Sequence, residues 1–371
     1  MNVSLKNIDA VSTLLKVEIE KNDYAEAWNK SLRSLRQKVE MKGFRKGMVP
    51  FGLVKKIYGK QTLLEEINKL VSESTTAYLR DNKVNFLGDP IPNETEQKTI
   101  DFDTDENFEF CFDLALKPEF EVEISKNDTL STYRVVISDE DTDKQVDLYW
   151  KNYGSYKKAD EGEDNDPALQ QPAEMNQEFF DRIFGPGVVK DEADFREHVK
   201  KSLSKEYEYE FDYILRNDIH KLLMEKAGDL VFADSILKRW LILSNEKATS
   251  ESIEKEYPKV CRDLKYQLVK EKLVEKYGIR VEKNEIEYMA KLSVSRQLAQ
   301  QGMYPVPEET LESYTKDLLK NEEAVNNLVE RIKGEKVVML VKDTVTIVEQ
   351  EVTTEEYKKI MEEQKMKIES V

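Results

Sequence analysis

Two stretches of strict alternation between apolar and polar residues predict β-strands in the first third of the chain. In residues 13–20, Leu15, Val17 and Ile19 alternate with charged side chains, and residues 108–114 repeat this pattern with phenylalanines. A period of two is typical of a strand that buries only one of its faces. The aromatic face of the second strand therefore needs a layer of helices to cover it.

Between these strands, apolar residues recur at helical spacing. Trp28, Leu32, Leu35 and Val39 lie on one face of a helix, with cations between them. The order of strands, helices and strands predicts an α+β domain over residues 1–116. Its predicted inner elements are helices over residues 24–41, 51–58 and 63–80 and a turn over residues 88–92.

The remainder of the chain is predicted to be mostly helical. Residues 117–159 indicate an extended connector followed by a helix capped by Ser138, and residues 160–174 form a polar linker. Residues 175–371 then form a helical body, with Gly334 predicted to interrupt it and an extended piece between residues 345 and 352. Helices are predicted in this body over residues 234–248, 251–277, 283–301, 308–332 and 354–367.

The charge of the chain is distributed unevenly. The 371 residues carry a net charge of −17, yet residues 28–60 contain ten Lys and Arg against the single acid Glu40. This basic island is +9, so the rest of the chain carries −26. Such asymmetry indicates a local docking surface for a negatively charged partner.

At the centre of the basic island lies the segment Gly43-Phe44-Arg45-Lys46-Gly47-Met48-Val49-Pro50. Its glycines and proline interrupt the helix, so they present Phe44, Arg45 and Lys46 on an exposed tip. The segment resembles the Gly-Phe-Arg-x-Gly-x-x-Pro signature of the bacterial trigger factors. A solvated helix–loop–helix with a charged face is the alternative interpretation. The candidate docking residues are Gly43, Phe44, Arg45, Lys46, Gly47, Pro50, Arg36 and Lys42.

The resemblance implies an ATP-independent chaperone that docks on the large ribosomal subunit at the tunnel exit, on protein and ribosomal RNA. Its second partner is the nascent, unfolded polypeptide, and off the ribosome a homodimer is implied as a further state. The helical remainder resembles the family's extended C-terminal body, whose projecting arms form a cradle. Candidate client-binding residues are Tyr288, Met289, Leu292, Leu298, Met303, Tyr304 and Val306, with packing between helices as the alternative for each.

Most trigger factors also contain an isomerase domain of the FK506-binding type, inserted where this chain has the short linker of residues 160–174. Such a half-barrel with a proline pocket cannot be built from so few residues. We therefore expect that this chain is not an enzyme. The alternatives are a peptidyl-prolyl isomerase, as in full-length family members, and a helical scaffold that uses the basic island for nucleic acid.

Other chemistry is not indicated by the sequence. Cys111 and Cys261 are far apart and form no metal or disulfide pattern, and His198 and His220 fall in one helical stretch. We expect no catalytic residues, no cofactor and no metal. We also expect no signal peptide and no membrane span, which fits a cytoplasmic protein.

Overall fold

The computed structural model describes residues 1–153, 175–245, 247–303 and 305–369. The chain forms two compact units. The first combines Met1–Glu121 with Ala227–Leu268, and the second combines Val122–Lys226 with Val269–Val371. The predicted linker of residues 160–174 lies outside the described residues.

The first unit is built on a four-stranded antiparallel sheet. Its strands are β1 (Asn2–Asn7), β2 (Ser12–Ile19), β3 (Phe86–Pro92) and β4 (Phe108–Leu116), in the order β1-β2-β4-β3. Leu15 pairs with Phe112 and Val17 with Phe110, so the two alternating stretches of the sequence lie side by side. The predicted strands are confirmed.

Two helices cover one face of this sheet, α1 (Lys21–Lys38) and α2 (Phe51–Asp81). Their apolar residues pack with Leu15, Val17 and Ile19 in one buried cluster. The prediction of two helices between residues 51 and 80 is wrong, because α2 is continuous through Gly59. This glycine is buried against the Trp28 ring, and its carbonyl accepts a hydrogen bond from Trp28 Nε1 at 3.0 Å.

The opposite face of the first unit is covered by a later part of the chain. Helix α6 (Asp234–Ser244) contributes Ile236 and Leu237 to a buried cluster with Leu87 and Ile91. Phe232, just before α6, and Tyr257 and Leu268 of α7 (Ser250–Lys276) belong to the same cluster. The predicted boundary at residue 116 remains a prediction. The compact unit around the sheet includes residues 227–268, which the sequence had assigned to the helical body.

The prediction of a turn over residues 88–92 is wrong, because these residues belong to β3. The pairing of β3 with β4 shifts register between Leu87 and Ile91. Within this irregular stretch Gly88 adopts a φ of +70° directly beneath the Trp240 ring. The glycine and prolines therefore mark a bulged edge strand and not the end of a strand.

Gly88→Ala is expected to destabilise the first unit by about 2 kcal/mol more than Gly43→Ala does. Both glycines have positive φ, but a Cβ at Gly88 would lie 2.7 Å from Trp240 Cδ2, whereas nothing lies within 4 Å of one at Gly43. Hydrogen exchange of the β4 amides, followed by mass spectrometry, measures both losses. Equal losses would show that Trp240 can move aside without cost.

Over its described residues, the second unit is mostly helical, with one small sheet. Strand β5 (Thr129–Val135) pairs in parallel with β6 (Thr346–Val352), and helix α5 (Glu192–Lys226) packs against β5. Its core centres on the buried residue Phe195. The centroid of the Phe195 ring lies 4.9 Å from the ring centroid of Phe180 and 5.4 Å from that of Phe179. The helices are α3 (Asp139–Tyr153), α4 (Gln177–Phe184), α5 (Glu192–Lys226), α8 (Lys283–Gln300), α9 (Glu308–Leu318), α10 (Glu322–Thr344) and α11 (Thr354–Glu369).

Two predicted helix starts are confirmed by their caps. Ser138 Oγ accepts from the Asp141 amide at 3.1 Å, and Thr353 forms a reciprocal capping box with Glu356.

One predicted helix of the second unit is wrong in its bounds. Residues 308–332 do not form a single helix, because Asn321 begins α10 by accepting from the Ala324 amide at 3.0 Å. Nor does Gly334 interrupt the body, because it lies inside α10 with a helical backbone.

Neither cysteine has the character of a reactive thiol. Cys111 is buried, Cys261 is half-buried, and burial raises the pKa of both thiols, which disfavours the nucleophilic thiolate. His198 and His220 both lie in α5, as predicted. Over the described ranges, no helix combines the length and apolar character needed to cross a bilayer, and no acid, Cys and His side chains group as metal ligands.

Candidate functional site

The candidate docking tip is the loop between α1 and α2, residues 39–50. Helix α1 ends at Lys38, and the Val39 amide donates back to the Leu35 carbonyl at 2.9 Å. At the base of the loop, Val39 and Val49 are buried together with Leu32 of α1 and Val54 of α2. This small core fixes both ends of the loop, so the residues between them are held in a defined shape.

Two glycines turn the chain within the tip. Gly43 has a φ of +91° and Gly47 a φ of +80°, values that favour glycine over residues with a side chain. The Phe44 amide donates to the Met41 carbonyl at 3.0 Å, and the Met48 amide donates to the Arg45 carbonyl at 2.9 Å. The predicted helix break at the centre of the basic island is confirmed.

The tip displays an apolar side chain between cations. Phe44 is 42% exposed, and Lys42, Arg45 and Lys46 are exposed around it. Lys46 lies 3.2 Å from Glu40, but both side chains are solvated, so this pair contributes little to stability. Met48 is 65% exposed on the same loop, a second apolar contact point that the sequence analysis did not nominate.

Arg36 has a structural partner that the sequence did not reveal. Its Nε donates to the Val49 carbonyl at 2.7 Å, and its side chain is half-buried. This hydrogen bond ties the end of α1 to the residue before Pro50, which is the N-cap of α2. Arg36 therefore positions the tip, in addition to carrying charge in the basic island.

Two further cations of the island are also engaged within the first unit. Lys55 Nζ lies 4.7 Å from the centre of the Trp28 ring, a cation–π contact, and Lys60 pairs with Asp103 at 2.6 Å. Lys55 and Lys60 therefore have partners within the first unit, whereas Lys42 and Arg45 of the tip are exposed, as are the helix residues Lys30, Arg33, Lys38 and Lys56.

The candidate client residues of the second unit divide by exposure. Tyr288 is 69% exposed, and Leu292, one turn later on α8, is also exposed, as is Met303. Met289 and Val306 are half-buried. Leu298 is buried, so its prediction as a client contact is corrected: this side chain packs inside the unit. Tyr304 lies outside the described residues.

Other exposed aromatic residues were missed by the sequence analysis. Tyr209 and Tyr213 lie one helical turn apart on α5 and are 77% and 59% exposed. Beside them, Arg216 of α5 pairs with Glu335 of α10 at 2.7 Å. The signal in the sequence is the spacing of four residues between Tyr209 and Tyr213, which places both rings on one face of a helix. It is obscured because tyrosine and phenylalanine alternate with acids over residues 206–213, a pattern that by itself is typical of a strand.

The fold and the glycine-turned tip define a class of two-unit α+β proteins with an exposed basic loop. Comparison with known proteins agrees: the family model for the bacterial trigger factor protein matches residues 1–149, and the model for the probable trigger factor C-terminal domain matches residues 211–361. The chain belongs to the trigger factor family.

Individual relatives are similar at low identity. The chain is 23% identical over 337 residues to the trigger factor of Chlorobium phaeobacteroides, an alignment covering 85% of this chain and 73% of the relative. It is 23% identical over 233 residues to that of Chlorobaculum tepidum, which covers 62% of this chain and 50% of the relative. The chain thus spans about half the length of this second relative.

A solved structure from a study of promiscuous substrate recognition in folding and assembly by the trigger factor chaperone is similar in fold. It has a TM-score of 0.55 and 16% sequence identity, and the alignment covers 92% of this chain and 99% of that one. The similarity shows that the α+β fold with its helical body is shared.

Proposed function

We propose that the protein is an ATP-independent cytoplasmic chaperone that docks at the ribosomal tunnel exit and shields nascent polypeptides. The observation that carries this proposal is the exposed Phe44-Arg45-Lys46 tip in the one strongly basic region of an acidic chain. Phosphates of ribosomal RNA would attract its cations, while the acidic remainder avoids the same surface.

The tip has the chemistry of a small, specific interface. Arg45 can pair with a carboxylate or phosphate through two parallel hydrogen bonds, and Phe44 supplies the central aromatic contact that often dominates binding energy. Its turns and buried base hold it in one shape, so little conformational entropy is lost on docking. Gly43, Gly47 and Pro50 set this shape, Arg36 ties its base, and Lys42 adds charge.

For the client we propose the exposed apolar residues of the second unit. Tyr288, Leu292 and Met303 lie among charged side chains. Tyr209 and Tyr213 of α5 add two exposed aromatic rings. Each contact is weak alone. Docking at the exit raises the local concentration of the nascent chain, so several weak contacts suffice. Off the ribosome, we propose that the same apolar surfaces support a homodimer.

We further propose that this activity needs no isomerase module. The residues proposed for docking and for client contact all lie outside residues 160–174, where most trigger factors carry that domain.

Ribosome binding is expected to weaken about 20- to 40-fold when monovalent salt rises from 50 to 200 mM. Lys42, Arg45 and Lys46 would neutralise three phosphates, and each displaced counterion contributes a slope of roughly −0.7 to −0.9 in log affinity against log salt. Co-sedimentation at constant Mg²⁺ measures this dependence.

The matched control is suppression of aggregation of an unfolded protein in the absence of ribosomes. Apolar contacts drive that activity, so the same salt change should affect it little. No pelleting with ribosomes at 50 mM salt would refute the docking function, and no suppression of aggregation would refute the chaperone function.

A further inference from the structure

Strands β5 and β6 form a two-stranded parallel sheet in the second unit, and no third strand within the described ranges pairs with either. Most of β6 is exposed, namely Thr346, Val348, Glu349, Gln350 and Glu351. A strand with one unpaired side presents a row of unused backbone donors and acceptors. This edge is unused by the docking tip and by the client residues proposed above.

The hydrogen bonds at both ends of β6 establish which backbone groups are free. The Thr346 amide donates to the Asp128 carbonyl at 2.9 Å, and the Val352 carbonyl accepts from the Val136 amide at 2.8 Å. Successive residues of a strand direct their backbone groups to opposite sides. The even-numbered residues of β6 therefore face β5, and Ile347, Glu349 and Glu351 direct their amides and carbonyls outward.

The outer edge of β6 lacks several of the usual protections against pairing. Natural edge strands are commonly blocked by charged side chains, lysine above all, by proline or by a bulge. The charged side chains of β6 are Glu349 and Glu351, which admit a strand that carries cations. The seven residues from Thr346 to Val352 contain neither proline nor lysine, and their register with β5 is continuous. The edge is therefore geometrically ready to accept another strand.

The side chains on β6 indicate what that strand would carry. On one face, Glu349 and Glu351 share the single guanidinium of Arg134, which leaves one excess negative charge. On the other face, Val348 is an exposed apolar residue. An extended segment with basic residues on one side and apolar residues on the other complements both faces. A second copy of β6 is disfavoured, because its carboxylates would lie opposite these.

We propose that the outer edge of β6 binds an extended segment of an unfolded polypeptide as a third strand. This inference rests on the proposed chaperone function and specifies one way in which the second unit holds its client. Backbone hydrogen bonds to Ile347, Glu349 and Glu351 supply affinity that does not depend on the client sequence, and the side chains add a preference for alternating basic and apolar residues.

The test compares Glu349→Pro with Glu349→Gln in the full chain, using a fluorescent peptide of alternating lysine and valine. Proline removes an outward amide and places its ring on the outer edge, whereas the ladder to β5 does not use that amide. We expect the peptide to bind about tenfold more weakly to Glu349→Pro and about two- to threefold more weakly to Glu349→Gln, measured by fluorescence anisotropy. Unchanged binding to Glu349→Pro would overturn the proposal.

A measurement on the unsubstituted protein keeps the test independent of any misfolding of the variant. Adding the peptide should slow hydrogen exchange of the Ile347, Glu349 and Glu351 amides at least tenfold, while the amides of Val348 and Gln350 are already protected by β5. Exchange that stays fast at all three would overturn the edge proposal. Protection that instead grows with protein concentration alone would assign the edge to a second copy and also overturn it.

This result is separable from the proposed function itself. If the protein suppresses aggregation and pellets with ribosomes while the outward amides stay unprotected, only the edge proposal fails. If aggregation is not suppressed at all, the chaperone proposal fails first.

Discussion

A protein carrying Phe44→Ala, Arg45→Ala and Lys46→Ala together is expected to bind ribosomes at least about 100-fold more weakly than the unsubstituted chain. The three side chains form the exposed apex of the docking tip, and truncation of a central aromatic or arginine commonly costs about 2 kcal/mol or more of binding free energy. Stability should change by only about 0.5 kcal/mol, because none of them lies in a core. Co-sedimentation with ribosomes measures the loss.

The matched control is Tyr314→Ala with Lys316→Ala and Lys320→Ala on and beside α9. It also removes one exposed aromatic side chain and two exposed cations, but from the second unit. If a general loss of positive charge weakened binding, both variants would pellet poorly. We expect only the tip variant to do so, and equal binding by all three proteins would contradict the docking assignment.

The shape of the candidate docking tip was predictable from the sequence because its causes are local. Gly43 and Gly47 permit the positive φ values that turn the loop, and Pro50 is the N-cap of the next helix. Charge counting places the same loop at the centre of the basic island. The role of Arg36 was not predictable, because its hydrogen bond to the Val49 carbonyl depends on how the loop returns to α1.

The packing of α6 and α7 against the sheet was not predictable either, because it also depends on contacts between residues far apart in the chain. Helical spacing shows that Ile236 and Leu237 need an apolar partner, but not which of several apolar surfaces they contact. That partner is β3 and β4, more than a hundred residues earlier in the chain. The bulge at Gly88 belongs to the same arrangement, since Trp240 of α6 occupies the space a side chain would need.

The packing of α6 against the sheet gives the last prediction. We expect Arg239→Ala to destabilise the first unit by about 3 kcal/mol. Arg239 of α6 lies 2.7 Å from the carboxylate of Asp113, a buried residue of β4, and also donates to the Pro92 carbonyl at 2.7 Å. Without the guanidinium, Asp113 keeps only the hydrogen bond from Asn93 Nδ2 at 2.7 Å. A buried carboxylate then remains without a counter-charge, which is more costly than the loss of the pair itself.

The control removes the charge that Arg239 balances. In an Asp113→Asn background, Arg239→Ala should cost only about 1 kcal/mol, the scale of one neutral hydrogen bond, because no buried charge is left behind. Urea unfolding of each variant, followed by the fluorescence of Trp28 and Trp240 in a Trp150→Phe background, reports on the first unit. Equal losses in both backgrounds would mean that water reaches Asp113, and that the apolar cluster around Ile236 and Leu237 alone holds α6 on the sheet.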